Sequence, residues 1–125
     1  MLTSLLQVAL GGALGASGRY LVNMGAMRLM GAGFPWATLV VNVVGSLAMG
    51  VLVVVLAHKG GTRLAPLLMT GLLGGFTTFS AFSLDAVTLY ERGQVSTAAL
   101  YVGASVILSL AGLAGGMMLA RGVFQ

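Results

Sequence analysis

The chain has 125 residues, of which 58% are hydrophobic and only 6% charged, with a mean hydropathy of +1.06. A soluble domain of this size needs roughly a quarter of its residues charged to make a polar skin, so an ordinary cytoplasmic enzyme, a disordered chain and a nucleic-acid binder are excluded. Six basic residues against two acids give a net charge of +4, but they are scattered like membrane-flanking charges rather than clustered as a phosphate footprint. The composition is that of an integral membrane protein.

Crossing a bilayer as a helix takes about 20 apolar residues, and four runs of that size follow one another. The first covers 3–21, with Arg19 at its end. The residues before it carry no Lys or Arg, unlike the start of a secretory signal, so this span is expected to be retained. The second covers 36–57 and is closed by His58, Lys59 and Arg63. The third covers 64–90, with Pro66 in its first turn and an expected break near 74–78. The fourth covers 95–120 and is stopped by Arg121. Linkers at 22–35, 58–63 and 91–94 hold most of the charge. The expectation is therefore an all-α membrane domain of four transmembrane helices, with no soluble domain. Without cysteine there is no disulfide, thiolate nucleophile or sulfur-ligated metal. His58 stands alone in a loop and can build no metal site.

With four spans, Lys59, Arg63 and Arg121 fall on one side and Arg19, Arg28 and Arg92 on the other. Orientation normally follows an excess of Lys and Arg on the cytoplasmic side. Three against three allows insertion both ways, and with it an antiparallel homodimer. The alternative is that the span ends shift by a residue or two, or that Arg19 is not to be counted.

Gly11 and Gly15, Gly71 and Gly75, and Gly112 and Gly116 each share a helix face and suit close backbone packing. The polar residues are more informative. Thr38, Asn42 and Ser46 lie at i, i+4 and i+8 of the second span, and Tyr101, Ser105 and Ser109 repeat that spacing in the fourth. Serine and threonine often only return a bond to their own helix. An amide inside an apolar span costs free energy unless bonded, and such groups tend to mark a pathway. In the third span, Gly74-Gly75-Phe76-Thr77-Thr78 is poor helix material. Carbonyls freed there are tolerated only where they line a cavity, bind an ion or are buried in protein, and three or more suit a cation such as Na⁺. Phe79 and Phe82 follow at i and i+3, with Ser83 and Asp85 on the same face. Asp85, the one acid inside a span, lies toward the same side as Arg19. Their pairing would be structural or would set a charge at a pore mouth, and both readings stand.

Three segments, in order, carry a resemblance that covers essentially the whole chain. They are Gly11-Gly12-x-x-Gly15-Ala16-x-x-Arg19-Tyr20, Thr38-Leu39-x-Val41-Asn42-x-x-Gly45-Ser46, and Gly71-x-x-Gly74-Gly75-x-Thr77-Thr78-Phe79-Ser80-x-Phe82. In these the chain resembles the small dual-topology fluoride channels (Fluc, also called CrcB). It departs at Ala81, where the family carries a hydroxyl residue, and at Asp85, where it carries a glutamate. The resemblance implies an antiparallel homodimer with paired pores that passes fluoride passively out of the cell across the bacterial inner membrane. It implies a structural Na⁺ at the dimer centre, held by the carbonyls of Gly74 and Thr77 from both subunits. It implies that the anion meets Asn42, Phe79 and Phe82, with a polar track at Thr78, Ser83, Asp85, Tyr101, Ser105 and Ser109 and a vestibule arginine at Arg19.

Stripping water from a bare small anion costs tens of kcal/mol. Neutral donors such as the Asn42 amide and the positive edges of phenyl rings replace that water without holding the ion as firmly as a buried Lys or Arg would. Two rivals remain. A small multidrug resistance-type coupled transporter needs a carboxylate in its first span, where this chain has none. An assembly protein whose glycine faces only pack leaves Asn42 and the broken span unexplained.

Overall fold

The structure, a computed structural model, describes residues 1–31, 33–60 and 62–124. All regular elements among them are helical: α1 (Leu2–Met30), α2 (Trp36–Lys59), a 3-10 turn (Thr62–Leu64), a π-helical segment (Pro66–Leu73), α3 (Gly74–Phe76), α4 (Phe79–Glu91) and α5 (Val95–Phe124).

Two expected linkers are shorter than the sequence suggests. α1 continues through most of 22–35, because Met24, Ala26, Met27, Leu29 and Met30 are compatible with helix. It ends only at Gly31, whose φ of 76° suits glycine. His58 lies not in a loop but in the last turn of α2, which Gly60 closes in the left-handed region. The His58 ring lies 5.7 Å from that of Phe124.

The stretches Trp36–Lys59, Thr62–Glu91 and Val95–Phe124 are long and apolar enough to cross a membrane. α1, with 29 residues and about 44 Å of length, is also long enough. Gln7, Ser17 and Arg19 make it less apolar than the other three.

The helices pack as two parallel pairs. α1 lies on the π segment and α3, and α2 lies on α5. Glycines set both contacts. Gly11 faces Leu67 and Gly71, and Gly15 faces Leu72 and Phe76, so these two elements run in the same direction. Likewise Gly112 faces Val43 and Leu47, while Gly50 faces Leu113 and Met117. In lipid, where burying apolar surface between helices gains little, such close backbone contact is what drives association. A side chain at Gly15 would run into the Leu72 carbonyl. Gly15→Leu is therefore expected to abolish the monodisperse elution peak in detergent, whereas Gly12→Leu, whose Cβ would point into open space, keeps it.

A small buried cluster ties the pairs together: Leu39 of α2, Phe82 and Leu89 of α4, and Ala98 and Tyr101 of α5, with Phe34 packed against them. Tyr101 is completely buried. A tight turn with Gly93 at φ 83° returns the chain from α4 to α5. It is closed by bonds from the Gly93 N–H to the Tyr90 carbonyl and from the Gln94 N–H to the Leu89 carbonyl, each 3.0 Å.

Candidate functional site at the helix break

Pro66 has no N–H, and the segment that follows opens into π-helical turns, in which the Gly74 N–H reaches the carbonyls of Met69 and Gly71. Such wide turns are rare and cluster at functional sites. One α-helical turn later the chain leaves helical geometry altogether. Thr77 (φ −84°, ψ 160°) and Thr78 (φ −154°, ψ 124°) are extended. Thr77 bends the ladder from its own side chain, since its hydroxyl donates to the Leu73 carbonyl at 2.9 Å.

Side chains capture the donors that an unbroken helix would use. The Thr78 N–H, due to the Gly74 carbonyl, donates to Asn42 Oδ1 at 2.8 Å. The Asn42 amide donates back to the Thr78 carbonyl at 2.9 Å. The Ala81 N–H, due to the Thr77 carbonyl, donates instead to Thr78 Oγ1 at 3.1 Å, which makes Thr78 the N-cap of α4. The Gly74 and Thr77 carbonyls thereby lose their helical partners. These are the two residues singled out for Na⁺, and neutral carbonyl oxygens are the donors that a hard monovalent cation prefers. The Gly75 carbonyl is met by Arg19, whose Nε donates to it at 3.1 Å, placing a cation at the carbonyl end of the interrupted helix.

Against the break lies an open groove of about 430 Å³. Asn42, Thr78, Phe79, Phe82, Ser105 and Ser109, all singled out from sequence, line it together with Thr77 and Ser46. None of its lining residues is charged. The Ser105 residue is 5% exposed and its hydroxyl has no partner. Phe79 and Phe82 stand with ring centroids 5.3 Å apart. One Asn42 N–H is committed to Thr78, so the amide offers a single free N–H to the groove and not the two that the residue type carries. The N-terminus of α4 opens at the same place. Its first N–H groups have no helical partner, and its dipole favours negative charge.

Arg19 and Asp85 line a second cavity of about 260 Å³, which Thr78 also borders. They form no ion pair: Arg19 holds Gly75, and Asp85 Oδ2 accepts the Tyr101 hydroxyl at 3.1 Å. Buried Tyr101 lines none of the described cavities itself and borders them through Asp85, Phe82 and Phe34. Ser83 does not join the site. It is exposed and lines none of the described cavities. It sits one turn from Phe79, itself 77% exposed, whereas Phe82 and Leu89 turn inward.

A family model described as "CrcB-like protein, Camphor Resistance (CrcB)" matches residues 6–117. The chain belongs to this family. Among its relatives is a Cereibacter sphaeroides (strain ATCC 17029 / ATH 2.4.9) protein named Fluoride-specific ion channel FluC, 75% identical over 122 residues that make up 98% of each chain. A Ruegeria sp. (strain TM1040) protein of the same name is 62% identical over 124 residues, 98% of each chain. One from Paracoccus denitrificans (strain Pd 1222) is 60% identical over 119 residues, 95% of each chain.

Three members of the site, Gly45, Met49 and Leu113, are not legible as such. Gly45 was visible only as part of a motif. It is required because the Thr77 methyl occupies the place of its Cβ. Met49 and Leu113 also line the groove. Met49 continues the Asn42–Ser46 face at i+7, a signal masked by its apolar chemistry.

Proposed function

We propose that this protein is a fluoride-selective channel that lets fluoride leave the cell passively; its relatives are named as fluoride-specific ion channels. What carries the reading is a groove without charge in which the buried, unpartnered Ser105 hydroxyl, a free Asn42 N–H and the N-terminus of α4 converge. Hydrogen bonds to an ion are worth roughly 1.5–3 kcal/mol each. Several in series offset the lost hydration yet leave no charged group to trap the ion, which conduction requires. Phe79 and Phe82 add ring edges of positive potential.

The working unit is an antiparallel homodimer of four-span subunits in the bacterial inner membrane. Its support is the near-equal split of Lys and Arg between the two ends, three (Lys59, Arg63, Arg121) against two (Arg28, Arg92) now that Arg19 lies at the break, together with a groove open along one side and a Phe79 ring 77% exposed in the protomer. A second copy would cover both. Gly74 and Thr77 would hold a structural Na⁺ by their freed carbonyls. When bound, that ion supplies a fixed positive charge at the break. A coupled transporter for organic cations is disfavoured because α1 contains no acid.

The test is a fluoride electrode over liposomes holding the purified protein. Rapid efflux that needs no proton gradient is the expected result, and vesicles as tight as protein-free ones would refute it. An engineered cysteine at the C-terminus should label from both membrane faces, and labelling from one face alone would remove the antiparallel homodimer.

A further inference from the structure

The cavities along the protomer share lining residues. Thr78 borders both the groove and the Arg19 cavity. That cavity in turn shares Asn23, Ala37, Thr38 and Asp85 with a third, of about 270 Å³. The third cavity lies at one end of the bundle, where the second half of α1, the start of α2 and the end of α4 meet. Its polar lining is Asn23, Thr38, Asp85, Thr88 and Arg92.

A carboxylate in this position is a difficulty for an anion path. Asp85 borders both outer cavities, and its charge repels fluoride. Two guanidinium groups stand on either side of it. Arg19 borders the inner cavity. Arg92 borders the mouth, seven residues from Asp85, or about 10 Å along α4. Neither is paired with Asp85 among the described residues. Arg92 is exposed at the C-cap of α4. Its neighbour Glu91 lines none of the described cavities.

We propose that Arg92 is the attracting charge of this mouth: its guanidinium offsets Asp85 and raises the local concentration of fluoride before the ion enters the neutral path. The inference rests on the channel reading above. A charged cleft can raise capture rates tenfold or more, and the effect fades as salt screens it. The Debye length falls from ~30 Å at ~0.01 M to ~3 Å at ~1 M ionic strength. That salt dependence separates attraction from mere support of the fold.

The experiment measures fluoride efflux from liposomes for the wild type and for Arg92→Gln, Arg92→Lys and Glu91→Gln, at both ionic strengths, set with an impermeant salt. Arg92→Gln is expected to lose about threefold or more of the flux at ~0.01 M and to match the wild type at ~1 M. Arg92→Lys keeps the charge and the flux. Glu91→Gln, whose charge has the opposite sign, loses none at either salt. An Arg92→Gln protein that conducts like the wild type at ~0.01 M overturns the inference, and so does a loss of equal size at both salts. A wild type without fluoride flux overturns the channel reading and this inference with it.

Discussion

Asn42→Asp is expected to bring fluoride efflux down to that of protein-free vesicles, a loss of at least about a hundredfold, while the protein keeps its elution volume in detergent. The substitution is nearly isosteric. It preserves the half of the clamp that accepts the Thr78 N–H at 2.8 Å, so the break keeps its anchor on α2. Two things are lost. The amide that donated to the Thr78 carbonyl at 2.9 Å becomes an oxygen facing an oxygen, and the remaining N–H that the groove offered to an ion disappears. One ion-directed bond at roughly 1.5–3 kcal/mol corresponds to about 10–100-fold, at about 1.36 kcal/mol per tenfold. A carboxylate in a groove with no other charge adds direct repulsion in a medium of low dielectric. Wild-type flux in this variant would show that the amide only glues α2 to the break.

The chemistry of the site was legible where it depended on residue type and helical spacing. Asn42 and Ser46, and Ser105 and Ser109, repeat at i+4, and this periodicity brings them to one groove. The Gly-Gly-Phe-Thr-Thr composition marked the break because glycine and β-branched residues are poor helix formers. What sequence did not reveal is how the break is held. Arg19 looked like a partner for Asp85 by charge alone. It instead caps the Gly75 carbonyl, because α1 and the π segment pack at glycine-limited distance and bring it beside the broken end. Helical spacing puts Ser83 on one face with Phe79, Phe82 and Asp85. That serine lies close to Phe79 in azimuth but one turn further along α4, beyond the groove and exposed. The continuation of α1 to Met30 was missed because Asn23 and Arg28 read as linker polarity, although neither residue stops a helix. The π-helical stretch has no sequence signature beyond Pro66 and Gly71, since its ladder depends on how tightly α1 can approach.

Phe82→Ile is expected to cut fluoride efflux at least about tenfold and to leave assembly unchanged. Phe82 has two neighbourhoods. On one side it belongs to the buried cluster with Leu39, Leu89, Ala98 and Tyr101, and is only 8% exposed. On the other it borders the groove, with its ring 5.3 Å from that of Phe79 and 5.4 Å from that of Tyr101. Isoleucine is apolar and fills most of the space in the cluster, so the packing loss is smaller than for a truncation to alanine. It has no quadrupole, so no positive ring edge is left to offer the ion. A donor comparable to one neutral hydrogen bond, about 1 kcal/mol, and the ring-to-ring contact that orients Phe79, worth about 0.5–1.5 kcal/mol, are removed together, and these combine to the predicted factor. Phe82→Tyr retains the edge and should conduct better than Phe82→Ile at equal protein content. If the isoleucine variant instead matched the wild type, both rings would be packing residues, and the anion would have to be carried past the break by Asn42 and the hydroxyls alone.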